Sequence, residues 1–115
     1  MFKLYYQNLM QVSPSRNIDQ NQDANFKVWL SDQEIFFNKL RAKDAAAFKI
    51  LYKQYAAAIY GSIIRSITDE KKARLILEQT FCEVWQSFSA YDETKVSVFT
   101  WIYQISSRNI KKIAL

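Results

Sequence analysis

Apolar side chains recur at steps of three and four residues along most of this chain after residue 25. An α-helix has about 3.6 residues per turn, so this spacing places the apolar groups on one helical face. The 115 residues include one glycine and one proline, which leaves few of the turn residues that β-hairpins need. We therefore predict an all-α fold. The clearest apolar series consists of Phe48, Leu51, Tyr52, Tyr55, Ile59, Ile63 and Ile67.

Cap residues and breaks in the periodicity divide the chain into four predicted helices. Ser31 and Glu34 have the spacing of a capping box, and Asp44 and Asp69 supply side-chain oxygens that suit helix N-termini. Gly61, inside the second helix, indicates either a close helix crossing or simple tolerance. Four amphipathic helices with short connections predict a compact bundle. The helices are predicted at 32–42, 45–67, 70–88 and from about Ser97 to the chain end.

The N-terminal part of the chain is polar. Residues 11–25 are rich in Gln, Asn, Ser and Asp, contain the proline and offer only scattered apolar side chains. We therefore expect a flexible polar leader over 1–25 and a helical domain over 26–115. No run approaches the roughly 18 apolar residues of a membrane span, and the first ten residues do not resemble a signal peptide. We expect a cytoplasmic protein without membrane insertion.

Composition argues against catalysis. The chain has no histidine and a single cysteine, Cys82, which excludes a zinc cluster, a Ser-His-Asp triad and an internal disulfide. It has no glycine-rich loop to cradle a phosphate, and its acidic residues suit helix starts and surface positions. We expect no enzyme activity, no catalytic residue, no metal and no cofactor. The net charge of +5 and the pI of about 9.4 are compatible with a polyanionic partner.

The most distinctive sequences read EQTFCEVW over residues 78–85 and FTWIYQISSRN over residues 99–109. Their order resembles region 2 of the extracytoplasmic-function (ECF) branch of the sigma-70 family, which has Gln-Glu-Thr-Phe with Trp, then Phe, Trp-Leu, Ile-Ala and Arg-Asn. The resemblance covers about residues 36–113. It implies a bacterial DNA-binding module that acts in transcription initiation and its regulation, not an enzyme.

The resemblance implies a polymerase contact on the third helix. In the family this helix binds the clamp helices of the RNA polymerase beta-prime subunit. The family commonly has Asp where this chain has Leu75, and Gln-Glu at the positions of Glu78 and Gln79. Leu75 and the missing basic end after Asn109 favour an alternative, a degenerate sigma-like module that binds polymerase or an anti-sigma factor without promoter recognition. The candidate polymerase-binding residues are Arg74, Leu75, Glu78, Gln79 and Cys82.

The resemblance also implies contacts with the non-template strand of the minus-ten promoter element. The loop over 91–97 matches the family segment that captures a flipped base, although such a loop can also be only a solvated connection. On the fourth helix, basic groups can contact phosphates or complement the helix dipole. Tyr103 can stack on a base, and Asn109 can contact a base edge or bridge internally. The candidate DNA-binding residues are Thr94, Lys95, Ser97, Tyr103, Gln104, Ser107, Arg108, Asn109, Lys111 and Lys112.

Complete sigma factors of this branch have a second helical domain, region 4, which reads the minus-thirty-five element. We find no counterpart of region 4 in this sequence. The family also continues after Arg-Asn with Asp and a basic cluster, where this chain reads IKKIAL over residues 110–115. Either a fragment of a longer sigma factor or a one-domain relative fits this pattern.

Overall fold

The computed structural model describes residues 31–114, and the side chains of residues 31–113. This part of the chain contains no β-strand, and the prediction of an all-α bundle of about four helices is confirmed. The predicted leader over 1–25, and the predicted start of the domain near residue 26, lie outside the described residues. The helices are α1 (Asp32–Arg41), α2 (Ala45–Ser66), α3 (Glu70–Ser87) and α4 (Val98–Ala114), and a 3-10 turn, Phe88–Ala90, follows α3.

Side-chain acceptors fix where the first three helices begin. In α1 the N–H of Glu34 donates to Ser31 Oγ (3.0 Å) and the N–H of Ser31 donates to Glu34 Oε1 (3.1 Å). Asp44 accepts a hydrogen bond from the N–H of Ala47 (3.1 Å). Asp69 accepts two bonds from the first turn of α3, at 2.9 and 3.3 Å. Because each cap satisfies N–H groups that lack a partner within the helix, the helices start where the sequence predicts.

The core is apolar and receives side chains from all four helices. Phe37 and Leu40 of α1 lie against it, and α3 packs on both α2 and α4. Removal of this apolar surface from water is the main favourable contribution to folding. The largest fully buried side chains are Phe48, Leu51, Ile59, Ile63, Ile76, Thr80, Phe81, Val84, Phe88, Ile102 and Ile105.

An aromatic junction, defined by Phe37, Phe88, Tyr91 and Trp101, joins α1, the 3-10 turn and α4. The ring centroids of Phe37 and Tyr91 are 5.6 Å apart, and those of Phe88 and Trp101 are 5.5 Å apart, both in edge-on geometry. The Tyr91 hydroxyl donates to the carbonyl of Val96 (2.7 Å). Burial raises the pKa of Tyr91 above 10.0. The junction therefore fixes both ends of the loop that leads into α4.

The turn between α1 and α2 contains a lysine in the left-handed region. Lys43 has φ 64°, and the N–H of Asp44 donates to the Lys39 carbonyl (2.9 Å), as in a Schellman motif. Lys43 Nζ donates to the carbonyls of Trp85 and Gln86, at 3.2 Å for Gln86, and lies 5.5 Å from the centroid of the Trp85 ring. A cation at the C-terminal end of α3 complements the helix dipole. Lys43 thus connects the turn between α1 and α2 to the C-terminal end of α3.

Gly61 lies inside α2, and the structure favours simple tolerance over a close helix crossing. A Cβ atom at Gly61 would meet no described atom within 4 Å other than its chain neighbours and the nearby backbone of α2. A close crossing would bring a neighbouring helix into that space, and none of the described residues occupies it.

Candidate functional site

One side of α3 faces away from the core and is defined here as the α3 stripe. Its members follow each other at steps of one, three and four residues, so they share one face of the helix. They are exposed or half-buried, and Leu75 has 43% of its surface exposed. The structure thus brings all five predicted polymerase-binding residues together. The stripe consists of Arg74, Leu75, Glu78, Gln79 and Cys82.

The α3 stripe combines an exposed leucine with polar and charged neighbours. Arg74 lies 3.8 Å from Glu70 one turn earlier, and because both side chains are more than half exposed, this pair adds little stability. Single exposed apolar side chains also occur on ordinary protein surfaces. The stripe therefore presents one apolar group among polar and charged groups to the solvent.

The loop over 91–97 uses two of its three predicted pocket side chains internally. The N–H and the hydroxyl of Thr94 both donate to Asp92 Oδ1, at 2.9 and 2.6 Å. Hydrogen bonds from Thr94 lower the pKa of Asp92 below 3.8. Ser97 Oγ accepts from the N–H of Thr100 (3.2 Å) and so caps α4. Lys95 is exposed and supplies the cation of this loop.

The exposed face of α4 carries two stacked aromatic rings. Phe99 and Tyr103 are 36% and 45% exposed, and their ring centroids lie 6.4 Å apart with 24° between the ring planes. Tyr55 of α2 lies 5.8 Å from Phe99 and extends this surface. Tyr103 is among the candidate DNA-binding residues predicted from the sequence, and Phe99 is not. The four-residue spacing of two aromatic side chains was the signal, because it places both on one side of a helix.

Polar and basic side chains continue along α4. Gln104, Arg108, Lys111 and Lys112 are exposed, and Ser107 is half-buried. The α4 face is defined here as these five residues with Phe99 and Tyr103. Nine of the ten predicted DNA-binding residues thus lie on this face or in the loop that precedes it.

Asn109, the tenth predicted DNA-binding residue, faces the core. It is 4% exposed, and its Nδ2 donates to Oγ1 of the fully buried Thr80 of α3 (3.2 Å). A buried amide with an internal partner is not positioned to contact a base edge. Of the two roles considered for Asn109, the structure shows the internal bridge.

An ion pair joins α3 to the α4 face. Arg108 Nη2 donates to Glu83 Oε2 at 2.7 Å, and the two side chains are 56% and 34% exposed. Sequence reasoning placed Glu83 among surface charges and did not predict this partner. The contact depends on how α3 and α4 pack, because the two residues are 25 positions apart.

Within residues 31–113, no three or more Cys, Asp or Glu side chains gather as a metal site would require. No helix of the described chain combines the length and apolar character of a membrane span.

The chain is similar to several known proteins that are ECF RNA polymerase sigma factors. Over 78 residues, 68% of the chain, it is 26% identical to the ECF RNA polymerase sigma factor SigK of Mycobacterium tuberculosis, strain H37Rv. It is 24% identical to SigK of Mycolicibacterium vanbaalenii over 85 residues, or 74% of the chain. It is 30% identical to the ECF RNA polymerase sigma factor RpoE of Cereibacter sphaeroides over 64 residues, or 56% of the chain.

Each alignment covers only part of this chain and only part of the relative. They cover 42%, 43% and 35% of the three relatives, so the chain spans less than half the length of the proteins it matches. No protein-family model matches the chain, and no solved structure is significantly similar to it. The chain is therefore similar to ECF sigma factors as a distant relative.

Proposed function

We propose that this domain acts in transcription initiation as the region 2 module of a sigma factor. In this proposal the α3 stripe binds the clamp helices of the beta-prime subunit of core RNA polymerase. The α4 face and the loop over 91–97 engage the non-template strand of the minus-ten element. The similarity to ECF sigma factors over 78 residues is the observation that carries the proposal.

The α4 face offers the two kinds of contact that unpaired nucleic acid needs. Aromatic rings stack on bases irrespective of sequence, at about 1–3 kcal/mol per base, and Phe99 and Tyr103 are exposed for this role. Lys111 and Lys112 can neutralise phosphates and release counterions. Because stacking on unpaired bases favours single strands over duplex, binding shifts promoter DNA toward the melted state. Melting by this route requires no nucleotide hydrolysis.

The polymerase contact is tested with the isolated beta-prime clamp-helix fragment. Glu78→Ala and Gln79→Ala remove polar groups from the α3 stripe, and we expect each to weaken binding by about 1 kcal/mol or more. Gln54→Ala, at an exposed position of α2, is the matched control and leaves binding unchanged. If the folded protein shows no affinity for the fragment, the polymerase contact is wrong.

The nucleic-acid contact is tested by the salt dependence of binding to a single-stranded minus-ten oligonucleotide. For single strands the logarithm of the affinity falls with that of the salt concentration by about 0.7 per neutralised phosphate. We expect Lys111→Gln and Lys112→Gln each to make this slope shallower, and Lys53→Gln, on the exposed side of α2, to leave it unchanged. Equal slopes in all four proteins would contradict phosphate contacts on α4.

A second candidate function is a sigma-like module that binds polymerase or an anti-sigma factor without recognising a promoter. The exposed Leu75 supports it, as do the internal partners of Thr94, Ser97 and Asn109. Affinity for the clamp fragment or an anti-sigma factor, with no salt-dependent affinity for single-stranded DNA, would favour this function over the first.

A further inference from the structure

The ion pair between Glu83 and Arg108 brings an acidic group onto the proposed nucleic-acid face. Arg108 belongs to the α4 face, whereas Glu83 extends from α3 one turn after Gln79 of the α3 stripe. The 2.7 Å separation of Nη2 and Oε2 is that of a charge-assisted hydrogen bond. One of the five guanidinium N–H donors of Arg108 is therefore bonded to a carboxylate.

A carboxylate and a phosphate present the same chemistry to a guanidinium. Both are oxyanions that accept hydrogen bonds from its planar N–H donors. A nucleic-acid phosphate that approaches Arg108 must either displace Glu83 or bind beside its negative charge. Both possibilities weaken the contact, because the first requires that an existing ion pair be broken and the second adds repulsion between like charges.

We propose that Glu83 is an internal competitor for Arg108, and that this ion pair limits the affinity of the α4 face for the backbone of single-stranded nucleic acid. The inference rests on the proposed function, since it assumes that the α4 face binds nucleic acid. The size of the effect follows from exposure. With Arg108 56% and Glu83 34% exposed, solvent screens the pair, so we expect removal of Glu83 to tighten binding by about two- to fivefold.

The experiment measures binding of the full chain to a fluorescently labelled oligothymidylate at several salt concentrations. Glu83→Gln is compared with the wild-type protein, and Glu83→Ala is included because a glutamine can still accept a hydrogen bond from Arg108. We expect both variants to bind more tightly and to show a salt slope steeper by about 0.7, as for one additional phosphate contact. Arg108→Gln and the double variant with Glu83→Gln complete a double-mutant cycle.

Glu70→Gln is the matched control for charge. It also removes one negative charge and one ion pair from α3, the pair with Arg74. Glu70 lies 13 residues before Glu83, which is about 20 Å along the helix axis and about two Debye lengths at 0.1 M salt. We expect its affinity for the oligonucleotide to equal that of the wild-type protein.

Each outcome decides the inference. It is supported if Glu83→Gln tightens binding and the gain disappears in the Arg108→Gln background. Equal gains in both backgrounds would mean that Glu83 acts only through its general charge, and this would overturn the inference. Unchanged or weaker binding of both Glu83 variants, with salt-dependent binding by the wild-type protein, overturns the inference and leaves the proposed function standing. If no variant binds while circular dichroism shows native helix content, the inference and the nucleic-acid contact of the proposed function are both wrong, and the polymerase contact is decided by the clamp-fragment experiment.

Discussion

The side-chain amide of Asn109 forms a hydrogen bond in the core and is not exposed at the surface. Its Nδ2 donates to Thr80 Oγ1, and both side chains are buried between α3 and α4. We expect Asn109→Ala to lower the free energy of unfolding by about 1–3 kcal/mol, because it leaves the buried hydroxyl of Thr80 without this partner. Urea unfolding followed by far-UV circular dichroism measures the change.

The control for Asn109 is the double variant Thr80→Val with Asn109→Leu. It removes both polar partners, and we expect it to cost less than the sum of the two single changes. If Asn109→Ala instead keeps full stability and weakens binding to single-stranded DNA, the internal role is wrong and the base-contact role is restored.

Lys43 combines an unfavourable backbone conformation with favourable side-chain contacts. Both Lys43→Ala and Lys43→Gly remove its contacts with the carbonyls of Trp85 and Gln86, but only glycine adopts φ 64° without strain. We therefore expect Lys43→Gly to be more stable than Lys43→Ala by about 1 kcal/mol in urea unfolding. Equal stabilities would show that the left-handed conformation of this turn carries no strain.

At the scale of helices, Gly61 makes α2 less stable than an alanine at the same position would. Among the described residues, no atom outside the neighbouring backbone of α2 lies within 4 Å of a Cβ at this position, so Gly61→Ala adds a methyl group without a clash. We expect a gain of about 1 kcal/mol in the free energy of unfolding, because alanine loses less backbone entropy than glycine in a helix. Ala57→Gly, at an exposed position of α2, is the reverse control and should lose a similar amount. A destabilised Gly61→Ala variant would mean that the open space is not there in solution.

The stability that Asp92 contributes to the loop over 91–97 depends on pH in the acidic range. Thr94 stabilises the charged form of Asp92, which lowers the pKa of that carboxyl below 3.8. The sign follows from linkage: the contribution of Asp92 is complete above pH 3.8 and is lost as the pH falls through the lower folded pKa. NMR titration should find the pKa of Asp92 below 3.8 in the wild-type protein and closer to 3.8 in Thr94→Val. An unchanged pKa in that variant would show that the Thr94 hydroxyl is not the cause, since valine keeps the backbone N–H that donates to Asp92.

Helices and caps in this chain could be predicted because the signals are local. Ser31, Asp44 and Asp69 lie within three residues of the N–H groups that they satisfy. The partners of Asn109 and Lys43 could not be predicted, since they lie 29 and 42 residues away and depend on how the helices pack. The same limit applies to the candidate site. The residues of the α3 stripe were implied by the resemblance to the family, and their helical spacing places them on one face. The bond between Arg108 and Glu83 required the packed structure.

At the scale of the whole molecule, one shared core predicts cooperative unfolding. Apolar side chains of α2, α3 and α4 fill the same interior, with Phe48, Ile76 and Ile102 all fully buried. Because none of these helices keeps a core of its own, we expect their slowest-exchanging amides to report one free energy of opening. Hydrogen exchange in increasing urea, measured by NMR, tests this. Two groups of amides with different urea dependence would reveal independent units.

The aromatic junction also gives this protein an optical probe that needs no label. The ring centroid of Trp101 lies 5.1 Å from that of Tyr91 and 5.5 Å from that of Phe88. The indole therefore has a fixed, asymmetric environment. Chromophores in such surroundings contribute to the near-UV circular dichroism spectrum, and the signal fades when side-chain packing is lost. Because the Tyr91 hydroxyl also donates to the Val96 carbonyl at the far end of the loop, we expect a rearrangement that breaks this bond to alter the same spectrum.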